Sequence, residues 1–296
     1  MAIPEGQLET WSHIGSIQQS AQTYDTIRNV LNDSASPYYA KDFSIFLQGS
    51  YGNATNVYKD SDVDVVICLN QTYYAETKAL GEEAKANYNN SFNAAPYQWG
   101  DFRTDVLAWL QKQFGAAVTP GTKAIYIKGS GMRRDADVLV CAQHRRYLAE
   151  SDGTDGQFNE GICFWSGGNQ IINFPKQHAD SCTTKHQDTN NRFKPVVRMY
   201  KNMRNRMVED GSLKEGLAPS YFVEGMLWNV PAVHFGATYE NSFINTYNWI
   251  LQADKTKLAC ANDLFWLIRE NSQTCWATAH FDAYFAAVRT FWEDWT

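Results

Sequence analysis

Two aspartates stand two residues apart in a segment that otherwise has the composition of a buried strand. Asp62 and Asp64 alternate with Val63 and Val65 in "DVDVVICL". Side chains i and i+2 of a strand point to the same face, so the pattern predicts both carboxylates on one face and both valines on the other. Two carboxylates this close repel each other unless a cation lies between them, and Mg²⁺ prefers hard oxygen ligands. Taken alone, the pattern also fits a solvent-facing strand edge.

A glycine and a serine precede these aspartates. Gly49 and Ser50 end the strand pattern "FSIFLQGS", and we expect them to open a short helix. Glycine lets the backbone come close to a ligand, while the N–H groups of a helix start and a serine hydroxyl can bind phosphate. The pair is therefore a candidate phosphate-binding turn.

A third acid follows in "RRDADVLVC". Asp137 directly joins the apolar run of this strand, and we favour it as the carboxylate that faces Asp62 and Asp64. Asp135 is the alternative, because one extra residue in the preceding turn would reverse the two faces of the strand.

The elements that must position these residues form an α+β arrangement. Further strands are predicted in "FSIFLQGS" and on both sides of the turn in "KAIYIKGSGMRRDADVLVCA". The far half of "DVDVVICL" is wholly apolar, which predicts burial on both faces. Helical spacing of apolar residues predicts helices at about 17–31, 74–88, 102–115, 219–229, 240–253, 262–271 and 277–294, with near-continuous helix from about residue 190.

The break between the two parts falls in the segment "DGTDGQFNEGICFWSGGNQ", which is rich in Gly, Asp and Asn. We therefore predict a mixed domain over residues 1–165 and a helical domain over residues 166–296, with a cleft between them.

Composition limits the class of protein. The chain of 296 residues is 44% apolar, which is ample for a sizeable core. No stretch has the roughly 18 uncharged apolar residues of a membrane helix, and "MAIPEGQLETWSH" has no signal-peptide pattern. Six cysteines without a C-x-x-C pair favour a reducing, cytoplasmic location. A net charge of -6 argues against coating of nucleic acid by bulk positive charge.

One segment of this acidic chain is basic. Between Lys185 and Arg206 there are seven Lys or Arg residues and one acid. Lys194, Arg198 and Lys201 share one face of a predicted helix, opposite an apolar stripe. This face is either a solvated helix surface or a site for a polyanion.

The order of these motifs resembles a known active-site signature. Gly49-Ser50, eleven residues, Asp62-Val63-Asp64 and a later strand with Asp137 are similar to the signature of the DNA polymerase β-type nucleotidyltransferase superfamily. Within it, "INFPKQHADSCTTKH", "FKPVVRMYKNMRN" and "APSYFVEGMLWN" resemble bacterial relatives of cyclic GMP-AMP synthase and oligoadenylate synthase, the CD-NTases. The matching stretches cover roughly residues 40 to 230.

The resemblance implies a fold and a reaction. The fold is a polymerase β-like core, a short mixed sheet flanked by helices, with a C-terminal helical domain and the active site in the cleft between them. Three acids of this superfamily hold two Mg²⁺ ions against a nucleoside triphosphate, and Mn²⁺ is a possible substitute. Carried over, Asp62 and Asp64 would bind both ions, and Asp137 would bind one and take the proton of the attacking ribose hydroxyl. Ser50 would bind the triphosphate and Gly49 would provide room.

Four more residues match nucleotide-binding positions of the family. Lys201 matches a lysine that contacts phosphate. Ser220 and Tyr221 match a pair that contacts the triphosphate and stacks on the donor base, although a tyrosine at a helix start is commonly a core residue. Asn173 aligns with a base-pocket position, but its amide could equally cap a turn.

The function predicted from the resemblance is synthesis of a cyclic di- or trinucleotide from ATP, GTP, UTP or CTP. The product would be the second messenger of bacterial antiphage signalling and would reach a downstream effector. Regulatory partner proteins are possible, whereas the acidic charge argues against activation by duplex nucleic acid. One alternative is nucleotide transfer to RNA, a protein or a small molecule, and another is a catalytically silent nucleotide-binding protein.

One pattern of histidines and a cysteine is similar to part of a zinc site. His178, Cys182 and His186 are spaced H-x₃-C-x₃-H, but no fourth ligand is apparent in the sequence. We therefore do not predict a zinc ion there.

Overall fold

The computed structural model describes residues 2–15, 18–57, 62–154, 156–272 and 274–295. The chain divides into two compact units. The sheet unit consists of Gln18–Gln48 and Asp62–Pro175, and the helical unit consists of the described residues of Met1–Ile17, Gly49–Ser61 and Lys176–Thr296. The domain limits 1–165 and 166–296 stay a prediction.

The described part of the sheet unit contains one sheet of seven strands. They are β1 (Phe43–Leu47), β2 (Val63–Glu76), β3 (Val118–Pro120), β4 (Ile125–Ile127), β5 (Ala136–Tyr147), β6 (Phe158–Ser166) and β7 (Asn169–Asn173). The order is β1-β2-β5-β4-β3, with β6 paired to the far half of β5 and β7 paired to β6. β2 and β5 are parallel and the other pairs are antiparallel, so the predicted mixed sheet is confirmed.

Ten α-helices lie in the described residues. They are α1 (Glu5–Ser12), α2 (Gln18–Leu31), α3 (Gly49–Gly52), α4 (Glu82–Ser91), α5 (Trp99–Phe114), α6 (Pro175–Asp188), α7 (Phe193–Glu209), α8 (Ser220–Trp228), α9 (Tyr239–Gln252) and α10 (Thr278–Glu293). Helices α2, α4 and α5 belong to the sheet unit, and the rest belong to the helical unit, α6 from Lys176 onward. None of the helices in the described ranges is long and apolar enough to span a bilayer.

The two faces of β2 enter two different hydrophobic clusters. Val65 and Ile67 pack in the cluster that includes residues of α2 and α5, while Val66 and Cys68 pack in a smaller cluster with Cys141 of β5. Burial of the far half of "DVDVVICL" on both faces is thereby confirmed, since Val65 to Leu69 are all buried. Within Val63 to Leu69, Asp64 alone is half-buried.

The predicted helix over 74–88 is wrong at its beginning. β2 continues through Glu76, because Tyr74 to Glu76 pair with His144 to Arg146 of β5, and α4 begins only at Glu82. Pairing with a long neighbouring strand outweighs a local helical spacing of apolar residues, since strand preference depends mainly on tertiary context.

The predicted helix over 262–271 is also wrong. Asn262 Oδ1 accepts a hydrogen bond from Leu264 N, and isolated bridges join Ala259 to Trp266 and Ile268 to Trp276. A side chain that bonds its own backbone competes with the helical hydrogen bonds, and here the backbone partners lie in neighbouring segments.

The hairpin of β6 and β7 was not predicted, because its glycines were assigned to the boundary between the two predicted domains. Gly167 and Gly168 have φ of 57° and 80° and form the turn between the strands. A pair of glycines between the apolar runs "ICFW" and "II" is a hairpin signal that could have located both strands.

Helices α1 and α6 were also not predicted from the sequence.

Candidate active site

Asp64 and Asp137 are register partners on neighbouring parallel strands. Asp64 of β2 pairs with Asp137 of β5, and Val63 and Val65 pair with Ala136 and Val138 on either side of them. All four flanking residues are buried, whereas both aspartates are half-buried. Because paired residues of adjacent strands point to the same face, the two carboxylates share one face of the sheet. Asp62 precedes β2 and is exposed.

The electrostatics show that other acids lie near Asp137. Burial, followed by the negative charges of Asp62 and Asp135, raises the pKa of the Asp137 carboxyl above its usual value. Mutual repulsion between carboxylates is what a bound cation relieves. The residue types at this end of the sheet therefore fit a hard divalent ion such as Mg²⁺.

Asp135 has a different environment. Its Oδ1 accepts a hydrogen bond from Gly129 N at 2.6 Å, within the turn that joins β4 to β5. This bond, followed by one from the Tyr126 hydroxyl, lowers the pKa of Asp135. Of the two alternatives for the third acid, Asp137 is the register partner of Asp64, and Asp135 holds the turn.

Tyr126 was missed by the sequence interpretation. It pairs with Asp137 from β4, so Asp64, Asp137 and Tyr126 form one row across three strands. The hydrogen bond to Asp135 raises the pKa of the Tyr126 phenol, with burial and the charges of the three acids acting in the same direction. In the sequence, "IYI" and "DAD" lie on either side of a glycine-containing turn. A hairpin that pairs these two segments would have placed Tyr126 opposite Asp137.

Gly49 and Ser50 open the short helix α3, as predicted. In the structure this helix belongs to the helical unit, whereas the sequence interpretation assigned it to the mixed domain. Gly49 has φ of 69°, a conformation that glycine adopts without strain. The Ser50 carbonyl accepts a hydrogen bond from Thr55 N at 2.8 Å. The turn is thereby tied to the loop that follows it, residues 53–57, which we call the 53–57 loop.

The basic face of α7 is not a solvated surface. Lys201 is fully buried, and its Nζ donates to Thr55 O at 2.9 Å. Arg198 donates through one guanidinium nitrogen to Ala54 O at 2.7 Å. These two cations hold backbone carbonyls of the 53–57 loop, and the phosphate contact of Lys201 stays a prediction.

Ser220 and Tyr221 begin α8 directly after Pro219, as predicted. Ser220 Oγ accepts a hydrogen bond from Arg204 at 3.1 Å. The Tyr221 ring stacks on His178 at a centroid distance of 4.8 Å, and its hydroxyl accepts from Asn262 Nδ2 at 3.0 Å. The ring is thus held in one orientation, and its contact with a base stays a prediction.

Asn173 ends β7 in the sheet unit. Its Oδ1 accepts a hydrogen bond from the backbone N–H of Phe174 at 2.9 Å, so its amide oxygen already has a backbone partner. Its part in reading a base edge stays a prediction.

A buried polar cluster in the helical unit contains Glu224, which the sequence interpretation did not single out. The ligand-type atoms of His178, Cys182 and Glu224 lie within 4.8 Å of one another. Hydrogen bonds from His178, Asn53 and Thr55 already engage the Glu224 carboxylate. His186 instead accepts a bond from Lys194 N through Nδ1. The position of Glu224 inside the apolar run "YFVEGMLW" could have predicted this cluster, because a carboxylate buried among apolar residues requires hydrogen-bond partners.

Comparison with known proteins identifies the family. Residues 180–293 match the model of the cGAS/DncV-like nucleotidyltransferase C-terminal helical domain. The chain is 38% identical over 271 residues to a cyclic UMP-AMP synthase of Rhodothermus marinus, with 90% of each chain covered. It is 33% identical to the cyclic nucleotide synthase CdnE01 of Staphylococcus haemolyticus, with both chains covered completely.

A solved structure agrees with these matches. The Rhodothermus marinus CdnE c-UMP-AMP synthase with Apcpp and Upnpp superposes with a TM-score of 0.89 and 34% identity, over 99% of this chain and 97% of that one. The chain therefore belongs to the bacterial CD-NTases, the cGAS-like family of cyclic nucleotide synthases, and is a nucleotidyltransferase.

Proposed function

We propose that this protein joins two or three ribonucleoside triphosphates into a cyclic oligonucleotide and releases pyrophosphate at each step. The observation that carries the proposal is the register pair Asp64 and Asp137, with Asp62 beside it in charge interaction with Asp137. The relative at 38% identity is a cyclic UMP-AMP synthase. ATP with UTP is therefore the first substrate pair to test, before GTP and CTP.

The acids offer only hard oxygen ligands, which supports binding of Mg²⁺ or Mn²⁺, and the proposal is for two such ions. Asp62 and Asp64 would hold both ions, and Asp137 would hold one. When bound, such ions lower the pKa of the attacking ribose hydroxyl and neutralise charge on the attacking and leaving oxygens.

The side chains of the protein handle the proton and the substrate. The ribose oxygen attacks the α-phosphorus of the donor nucleotide, the bond to pyrophosphate breaks, and the Asp137 carboxylate accepts the hydroxyl proton. Ser50 would donate to the triphosphate, and Tyr221 would stack on the donor base.

The test is product analysis with purified protein. Mg²⁺ and all four labelled nucleoside triphosphates are supplied without any macromolecule, and phosphatase-resistant products are identified by mass spectrometry. We expect a cyclic product from the wild type and none from the double variant Asp62→Ala/Asp64→Ala. Asp25→Ala, at an exposed acid of α2, is the matched control and should retain activity.

The same assay separates the alternatives. Transfer to RNA, a protein or another small molecule needs an added acceptor, so nucleotide consumption only in its presence would contradict cyclic synthesis. A silent nucleotide-binding protein would release no pyrophosphate under any condition. The names of the relatives favour cyclic synthesis over both.

We also propose that the cyclic product acts as the second messenger of an antiphage signalling system. It would activate a downstream effector, and partner proteins rather than duplex nucleic acid would regulate its synthesis. The net charge of -6 supports the exclusion of duplex nucleic acid, because such binding depends on neutralisation of phosphates by basic residues.

A further inference from the structure

Glu224 lies in the middle of α8 with 2% of its surface exposed, and three side chains hydrogen-bond to it. Oε2 accepts from His178 Nε2 at 2.6 Å and from Asn53 Nδ2 at 3.0 Å, and Oε1 accepts from the Thr55 hydroxyl. An ionised carboxylate only accepts hydrogen bonds, so His178 Nε2 is the donor in this contact. Because a buried charge is costly unless it is hydrogen-bonded, all three bonds contribute to stabilising the Glu224 carboxylate.

The first branch of these contacts reaches the Gly49-Ser50 turn. Thr55, which is fully buried, bonds to Glu224 through its hydroxyl and to the Ser50 carbonyl through its N–H at 2.8 Å. Lys201 binds the Thr55 carbonyl from the other side at 2.9 Å. The turn is therefore linked to the Glu224 carboxylate through a single residue, Thr55.

The second branch reaches Tyr221. The imidazole that donates to Glu224 stacks on the Tyr221 ring at 4.8 Å with an angle of 21° between the planes. Tyr221 and Glu224 lie three residues apart on α8, so they are neighbours on the helix surface. His178 of α6 thus fixes the ring face against the same carboxylate that holds Thr55.

We propose that Glu224 is a positioning residue, which sets the Gly49-Ser50 turn through Thr55 and the Tyr221 ring through His178 in one fixed arrangement. The inference rests on the proposed function, in which the turn binds the triphosphate and the ring stacks on the base. In this role Glu224, with 2% of its surface exposed, acts without contacting the substrate. It keeps the Gly49-Ser50 turn and the Tyr221 ring at the separation that one nucleotide requires. Because both are already ordered in the free protein, binding loses less conformational entropy.

The test measures binding of a non-hydrolysable ATP analogue with Mg²⁺ by calorimetry, so that it does not depend on turnover. Thr55→Val removes the hydroxyl at nearly constant volume, and Thr55→Ser retains it. Thr246→Val is the matched control, because Thr246 is equally buried in the same unit and bonds Tyr200 outside these contacts. Melting temperatures of all three variants are recorded.

We expect Thr55→Val to weaken binding of the analogue about tenfold, the effect of one hydrogen bond to a charged group. Thr55→Ser should bind like the wild type, and Thr246→Val should lower the melting temperature without weakening binding. Thr55→Val binding within twofold of the wild type, or equal losses in Thr55→Val and Thr246→Val, would overturn the inference.

A second variant tests the other branch. His178→Phe retains a ring against Tyr221 but cannot donate to Glu224, and we expect it also to weaken binding of the analogue. Because both changes act through one carboxylate, the double variant Thr55→Val/His178→Phe should lose less than the product of the two single losses. Fully multiplicative losses would show that Glu224 does not connect the two contacts.

The two proposals fail in distinguishable ways. A wild-type protein that binds the analogue but makes no cyclic product would contradict the proposed synthesis and leave the binding test of Glu224 intact. A wild-type protein that makes the product while Thr55→Val binds normally would overturn the positioning role alone.

Discussion

Asp64 and Asp137 are register partners on the parallel strands β2 and β5, and they stand on the same face of the sheet. Neighbouring strands lie about 4.8 Å apart, so the backbone alone brings two carboxylates from distant parts of the sequence side by side. The apolar residues around them are buried, which fixes the register, because a slip by one residue would turn every side chain to the other face.

This relationship predicts different effects for the two acids of "DAD". Asp137→Asn removes the proposed base and metal ligand, and we expect a loss of about 10²–10⁴-fold in kcat for cyclic product formation. Asp135→Asn can still accept the hydrogen bond from Gly129 N, and should retain activity within about tenfold. The measurement is the rate of pyrophosphate release. Equal losses in the two variants would contradict the assignment.

Tyr126 should contribute through its hydroxyl. Tyr126→Phe removes the hydrogen bond to Asp135 that joins β4 to the turn before Asp137, and keeps the ring in the row with that acid. We expect the rate of product formation to fall about fivefold, which corresponds to one hydrogen bond of about 1 kcal/mol. Tyr39→Phe is the control, since Tyr39 is 50% exposed. Unchanged rates in both variants would show that the hydroxyl has no role.

His144 should make stability depend on pH. This β5 residue is 2% exposed, and burial lowers its pKa from 6.5 to about 4. Below pH 6.5 the unfolded chain binds a proton here that the folded protein does not. Stability is therefore complete above that pH and falls as the pH drops towards 4, by on the order of 3 kcal/mol.

Denaturant unfolding of the wild type and of His144→Gln between pH 7 and pH 4 checks this expectation. The variant should lose less stability over the interval than the wild type does. His280→Gln, at an exposed histidine, is the control and should follow the wild type. A variant of His144 with the wild-type pH dependence would rule out the buried imidazole as the cause.

Gly161 should tolerate no side chain. A Cβ atom at this position of β6 would lie 2.7 Å from Asn173 O and 2.8 Å from the Phe174 ring. We expect Gly161→Ala to destabilise the protein by about 1–3 kcal/mol.

Gly100→Ala is the matched control in the same unit. Nothing lies within 4 Å of a Cβ there, and the residue is in α5, so the change should be neutral or stabilising by up to about 1 kcal/mol. Thermal unfolding measures both variants, and similar melting temperatures would contradict the prediction.

Strands β1, β2, β4 and β5 and the two closely spaced acids at the start of β2, Asp62 and Asp64, could be predicted from residue order alone. The alternation of Asp62 and Asp64 with buried valines is a local pattern, because side chains of a strand alternate between faces whatever lies beside it. The helices with a sustained apolar stripe, such as α7, were predictable for the same reason. The family resemblance rested on these local motifs and the distances between them.

Other features depended on which segments meet. Whether Tyr74 to Glu76 formed helix or strand was decided by pairing with β5, and whether Asp135 or Asp137 became the register partner of Asp64 was decided by the length of a turn. The buried contacts of Glu224 join residues about 170 positions apart, Asn53 and Thr55 on one side and α8 on the other.

The sequence by itself therefore determined that closely spaced acids alternate with buried valines at the start of β2, which follows from local periodicity, while nucleotidyl transfer was implied by the resemblance of its motifs to a known signature. Only the tertiary structure decided which acid faces Asp64, and that Lys201 and Arg198 hold a loop instead of facing solvent. The physical reason is that a buried charge must find its hydrogen-bond partners wherever the fold places them, and those partners have no fixed spacing along the chain.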